Sequence, residues 1–224
     1  MADTQNITDN LLEMYGRNDW VMRFNFNMFM KLTGMKKLPL DAAILDCGCG
    51  MGHLIHMMNQ EGFTAVSGLD ASPEMVDAAR KLTGAEVALA DVVDIEKHYK
   101  KSSLDAVIIS DIVHHIPDTS GWDKMLAGSQ AVLKPGGLLA IREPFPNLAV
   151  NSLIFMSGIK ALHLGFMKSR LQSFVEEAEL VDYFFKNWPP HYKEMLKGHG
   201  FEIQKDFNWL VHRITVAVKK EGAS

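Results

Sequence analysis

Between about residues 42 and 143 the chain alternates short apolar runs with stretches of helical spacing, and this alternation limits its fold more than any other feature. Apolar runs lie near 43–47, 64–70, 85–90, 104–110 and 137–142, with helical periodicity over 52–61, 73–83 and 119–133. Repeated strand–helix–strand units call for a parallel sheet, because a strand reaches a parallel neighbour only through a crossover long enough to hold a helix. Lys134-Pro135-Gly136-Gly137 is expected to end the third of these helices and turn the chain into the fifth parallel strand. Two late runs, 201–207 and 210–218, are close enough to pair as an antiparallel hairpin closing the sheet edge.

Two stretches stand outside this frame. Residues 4–34 read as one or two helices rich in methionine and aromatics, and 148–190 form a long passage after the fifth strand. The expected organisation is therefore an N-terminal helical lid over 1–40, then an α/β domain over 41–224 with a helical cap inserted at about 148–190. Within the cap, 148–167 is strongly apolar, but Asn151, Ser152, Lys160 and His163 interrupt it and leave no span able to cross a bilayer. It reads as a helix packed on the domain, or as a helix lying on a membrane surface. With 224 residues, 47% of them hydrophobic, the chain can bury one substantial core. A net charge of -4 without a basic run speaks against a nucleic-acid partner. The N-terminus lacks the basic and apolar segments of a secretory signal, so a cytoplasmic location is expected.

The first apolar run leads into Leu45-Asp46-Cys47-Gly48-Cys49-Gly50-Met51-Gly52. Cys47 and Cys49 are too close for an unstrained disulfide, and no other cysteine could complete a soft metal site, although nine histidines are present. Small apolar residues lining a turn is the simpler reading, and no metal is expected. A loop leaving the carboxyl end of a strand and entering a helix directs its backbone N–H groups at whatever lies above the sheet, and glycines permit the close approach. The spacing Gly48-x-Gly50-x-Gly52 departs from the dinucleotide fingerprint, whose third glycine falls one place later. Asp70, at the end of the second run, suits the two hydroxyls of a ribose, and Asp91, at the end of the third, an exocyclic adenine amine. Taken singly, Asp46 could merely cap the loop, and Asp91 could merely open the turn after its strand.

In their order, Ile44-Leu45-Asp46-Cys47-Gly48-Cys49-Gly50-Met51-Gly52, Gly68-Leu69-Asp70-Ala71-Ser72, Ala90-Asp91 and Leu133-Lys134-Pro135-Gly136-Gly137 resemble the motifs of the class I S-adenosylmethionine-dependent methyltransferases, over roughly residues 40 to 145. The resemblance implies a Rossmann-like, mostly parallel seven-stranded sheet whose last strand is antiparallel. It implies S-adenosyl-L-methionine as cofactor and a small-molecule methyl acceptor. It also implies site roles: Asp46, Gly48 and Gly50 around the methionine portion, Asp70 on the ribose, Asp91 and Val92 on the adenine. Ala71, Met75 and Ser110 join them as cofactor neighbours, and Tyr15 is the lid residue expected to reach the cofactor.

Methyl transfer from a sulfonium is an in-line displacement that needs alignment and exclusion of water more than a strong catalyst. Where the acceptor must lose a proton, His114 and His115 at the end of the fourth strand are the candidate bases; related enzymes also carry paired histidines that only pack beside the cofactor. Arg142 and Glu143 supply an ion-pair candidate at the substrate rim, with Trp20 as an aromatic substrate contact. Asp111, Glu143 and Asn147 invite a magnesium reading, but their spacing does not match the enzymes that use one. Aromatic walls are offered by Tyr15, Trp20, Phe24 and Phe26 in the first lid and by Tyr183, Phe184, Phe185 and Trp188 in the second. Ser110-Asp111-Ile112-Val113 is not the Asn/Asp-Pro-Pro-aromatic motif of adenine-amine methylation in nucleic acid. A dinucleotide-dependent oxidoreductase and a noncatalytic cofactor binder remain as alternatives.

Overall fold

The computed structural model describes residues 19–116, 118–144, 191–209 and 212–222. Tyr15 and the cap expected at about 148–190, with its aromatics, lie outside the described residues. The described chain opens with helix α1 (Asp19–Thr33), followed by β1 (Ile44–Cys47), α2 (His53–Gln60), β2 (Val66–Asp70), α3 (Pro73–Thr83), β3 (Val87–Leu89) and the short α4 (Ile95–His98). Then come β4 (Leu104–Ser110), α5 (Thr119–Val132), β5 (Leu133–Pro144), α6 (Tyr192–Gly198), β6 (Phe201–Trp209) and β7 (His212–Lys219). The seven strands form one sheet in the order β3-β2-β1-β4-β5-β7-β6. The first five are parallel, β7 pairs antiparallel with β5, and β6 pairs antiparallel with β7, so β7 alone runs against the rest.

Local chemistry accounts for the helix ends. The Ser72 hydroxyl accepts the Met75 N–H at 3.3 Å, Pro73 opens α3 where a missing N–H costs nothing, and Gly84 closes it in the left-handed conformation. Asp118 accepts the Gly121 N–H at 2.8 Å and starts α5. The sheet is covered on both sides, and β1 and β4 read as nearly continuous buried runs because each face packs on its own layer. One cluster joins Leu45, Val107, Leu139, Trp122 and Phe201; the other joins Ile44, Ile108, Ala140, Phe29 and Met58, with α1 contributing to it.

One expectation is corrected. Lys134-Pro135-Gly136-Gly137 does not precede the fifth strand but lies within it, since β5 begins at Leu133. Leu104 pairs with Leu133 and Ala106 with Leu138, so the intervening residues bulge while the ladder resumes on both sides. Lys134 holds the bulge by bonding both carboxylate oxygens of Asp105, at 2.7 and 2.8 Å. No helix among the described residues is long and apolar enough to cross a membrane.

Candidate active site

In an open sheet of this kind the place where strand order reverses leaves a crevice outside the carboxyl ends of the strands. Here that place is between β1 and β4, and a cavity of about 310 Å³ lies there. Its polar lining is Asp46, His53, Ser110, Asp111, Arg142 and Asn25; α1 adds Met22, Phe26 and Phe29, and α2 adds Leu54 and Met57. Gly48 and Cys49 complete the loop side.

The loop after β1 depends on backbone that only glycine adopts easily. Gly48 has φ 66°, and a Cβ there would meet Ile112 Cδ1 at 2.1 Å. Gly50, at φ 52°, faces open space, which leaves room for a ligand to approach its backbone. The loop amides are not all directed outward, as the sequence reading supposed. The Cys49 N–H donates to the Leu69 carbonyl at 3.0 Å, and the Gly50 N–H to Asp70 Oδ2 at 2.8 Å, which ties the loop to β2. Asp70 Oδ1 accepts the Ser72 N–H at 2.9 Å. Both cysteines are free and buried in the packing, and burial pushes both thiols above the ordinary range, as expected of fillers rather than reactive groups.

Asp46 is 3% exposed and lines the cavity, yet it has no hydrogen-bond partner among the described residues. Burial pushes its carboxyl up to about 7, against the pull of Arg142 and with the repulsion of Asp70 and Asp111. On the far side of the cavity, Asp111 sits at φ 57° and gathers His212 Nε2 at 3.2 Å, the Ser110 hydroxyl at 2.9 Å and the Arg142 guanidinium. Burial alone would raise Asp111, but the His212 hydrogen bond and the Arg142 charge hold its carboxyl well below the usual carboxylate range. The Arg142 guanidinium carbon also lies 5.5 Å from the centre of the Phe29 ring.

Arg142 and Glu143 do not form the ion pair that their adjacency suggested. Neighbours on a strand point to opposite faces, so Arg142 meets Asp111 while Glu143 turns into the core. There Glu143 is 0% exposed and accepts the Ile112 N–H at 2.8 Å, the Val113 N–H at 2.7 Å and a 2.8 Å bond with His114 Nδ1. His114 is buried in this pair and does not line the cavity; His115 is exposed, its ring centroid 4.2 Å from that of His114. Asp111 and Glu143 thus diverge, and Asn147, the third oxygen donor of the magnesium reading, lies outside the described residues. Among the described residues no group of three His, Cys, Asp or Glu side chains gathers at metal distance.

Of the other expected site residues, Asp46, Gly48, Ser110 and Arg142 line this cavity. Asp70 stands beside it, joined through Gly50. Asp91, exposed at the end of β3, accepts the Val93 N–H at 3.1 Å and opens a tight turn, with the Val92 side chain buried below. Ala71 is exposed and Met75 half-buried at the start of α3. Trp20 is 76% exposed on α1 and is not part of the cavity wall. The sequence reading missed His53, Asn25 and His212. His53 directly follows the glycine loop, and burial together with the His56 charge pushes its ring below the ordinary imidazole range, so it is neutral at pH 7. A cavity stripe was legible in the spacing of Met22, Asn25, Phe26 and Phe29, one helix face. His212 carries no local signal, since β7 brings it beside Pro144 from far along the chain.

Residues 44–137 match a family model described as a methyltransferase domain. The chain is 30% identical over 112 residues to a 2-methyl-6-phytyl-1,4-hydroquinone methyltransferase of Synechocystis, aligning 49% of itself with 34% of that protein. It is 33% identical over 106 residues to a ubiquinone biosynthesis O-methyltransferase of Xanthomonas axonopodis, aligning 45% of itself with 42% of the relative. The chain therefore spans well under half the length of these curated relatives. A solved TehB-like SAM-dependent methyltransferase from Corynebacterium glutamicum superposes with a TM-score of 0.59 at 16% identity, covering 98% of this chain and 99% of that one, which speaks for the fold.

Proposed function

We propose that this chain is a class I S-adenosylmethionine-dependent methyltransferase, a reading supported by the methyltransferase-domain match over residues 44–137, and that it transfers a methyl group from S-adenosyl-L-methionine to a small, partly apolar molecule. The observation that carries this reading is the cavity at the β1/β4 ends, where Gly48 and Cys49 of the glycine loop meet Asp46, a buried acid without a hydrogen-bond donor among the described residues. A cationic ligand fits that arrangement. When bound, the cofactor supplies an electrophilic methyl on a positively charged sulfur. Asp46 would hold its ammonium end, Asp70 and Asp91 at the β2 and β3 ends would hold ribose and adenine, and Gly48 and Gly50 would allow its close approach. The cavity wall of Met22, Phe26, Phe29, Leu54 and Met57 orients an apolar acceptor and excludes water, the main demand of an in-line displacement. The two relatives bear quinone-type names, which supports an aromatic or apolar acceptor. His53 and Asp111 are the polar groups nearest such an acceptor; His114 and His115 support the rim beside it.

Calorimetry with S-adenosylhomocysteine and with NAD tests the cofactor: binding of the first and not the second is expected, and the reverse would favour an oxidoreductase. Incubation with methyl-labelled cofactor and a fractionated metabolite extract then identifies the acceptor by where the label goes.

A further inference from the structure

We propose that Asp46 carries a proton while the cleft is empty and releases it when the cofactor's cationic end arrives, so that cofactor binding and deprotonation of this one carboxyl are a single coupled event. The inference rests on the cofactor reading given above and adds to it a linkage between pH and affinity.

The charges around Asp46 carry the argument. Asp70 approaches from β2 and Asp111 from the end of β4, so three carboxylates share the neighbourhood. Among the described residues, few groups are placed to offset that charge. Arg142 on β5 is engaged with Asp111, and His212 on β7 bonds the same carboxylate, so neither is dedicated to Asp46. From α2 comes His53, which burial keeps neutral at pH 7, and α1 presents Met22, Asn25, Phe26 and Phe29, none of which titrates. Asp70 is satisfied by two backbone N–H groups, whereas Asp46 has no hydrogen-bond partner among the described residues. A carboxylate at 3% exposure, without donors among the described residues and beside two other acids, is most stable in its neutral form. Its carboxyl, pushed up to about 7, agrees with that geometry. A cation placed against it reverses the balance: the negative form gains a partner and the proton leaves to solvent.

The test is isothermal titration of the full chain with S-adenosylmethionine at pH 6.5, in phosphate and in imidazole, buffers of different ionisation enthalpy. At that pH the cofactor's own amine is almost fully charged, so proton release reports on the protein. About three quarters of a proton should be released per cofactor bound, and affinity should fall by up to tenfold per unit as pH drops below 6. Asp46→Asn should bind with almost no release and a flat pH dependence. Binding to the wild type without release, or equal release from both proteins, overturns the proposal. Absence of any binding overturns the cofactor reading and the proposal with it. The ligand-free chain gives an independent readout: the Asp46 carboxyl carbon resonance, assigned by its loss in Asp46→Asn, should titrate near neutral pH, and a midpoint below 5 refutes the idea whatever the cofactor does.

Discussion

Asp46 and Glu143 are both acids buried at the carboxyl rim of one sheet, and they are treated in opposite ways. Glu143 receives two backbone N–H groups and His114; Asp46 receives no donor among the described residues. Burial raises both carboxyls, but at Glu143 the His114 hydrogen bond and charge oppose it. Glu143 is thus a structural clasp that fastens the turn after β4 to β5. Asp46 has no such clasp among the described residues. Burial does not distinguish these two acids; the donors pointed at Glu143, and their lack at Asp46 among the described residues, do.

The sharpest break of this comparison is Glu143→Ala. It strands two N–H groups and a histidine in the core, and should cost about 3–5 kcal/mol of stability by urea denaturation, the range for breaking a buried pair. A loss under about 1 kcal/mol would mean the clasp is dispensable.

The next effect is a pH dependence at Asp46. Burial pushes its folded carboxyl up to about 7, well above the ordinary aspartate range, so between those limits the native chain keeps a proton that the unfolded chain has lost. Stability from this group is complete below about pH 4, declines as pH rises toward 7 and is flat above, by an amount on the order of a few kcal/mol. Asp46→Asn should remove that decline, making the variant's denaturation midpoint less pH-sensitive between 4 and 7. Parallel pH profiles of the two proteins would contradict the assignment.

Smaller effects sharpen the contrast between clasp and cleft. Asp70→Ala should weaken S-adenosylhomocysteine binding by roughly 1.5–3 kcal/mol, the worth of charge-assisted hydrogen bonds, as read by calorimetry; an unchanged dissociation constant removes Asp70 from the site. His115→Ala, at an exposed ring, should shift stability by less than about 0.5 kcal/mol. His114→Ala, inside the clasp, should lower the denaturation midpoint clearly more than His115→Ala does, and equal effects would place His114 outside the clasp.

Much of this was legible locally. The sheet was readable because apolar runs of strand length alternate with helical periods. The run-on of Lys134-Pro135-Gly136-Gly137 into β5 was not, because a bulge is defined by the partner strand rather than by the residues that form it. The meeting of Asp46 and Asp70 around the glycine loop followed from their places at the ends of neighbouring strands. The pairing of Arg142 with Asp111 and of Glu143 with His114 required the pleat, which sends adjacent side chains to opposite faces.

The order of residues along the chain by itself determined the strand–helix alternation, the glycine bend and the row of acids at strand ends, since each depends on spacing within a few residues. Only the tertiary structure decided which acids are satisfied and which are left open. Donors such as His212, Arg142 and His114 reach their partners across about 30 to 100 positions of chain, and a carboxyl's charge state depends on everything packed around it.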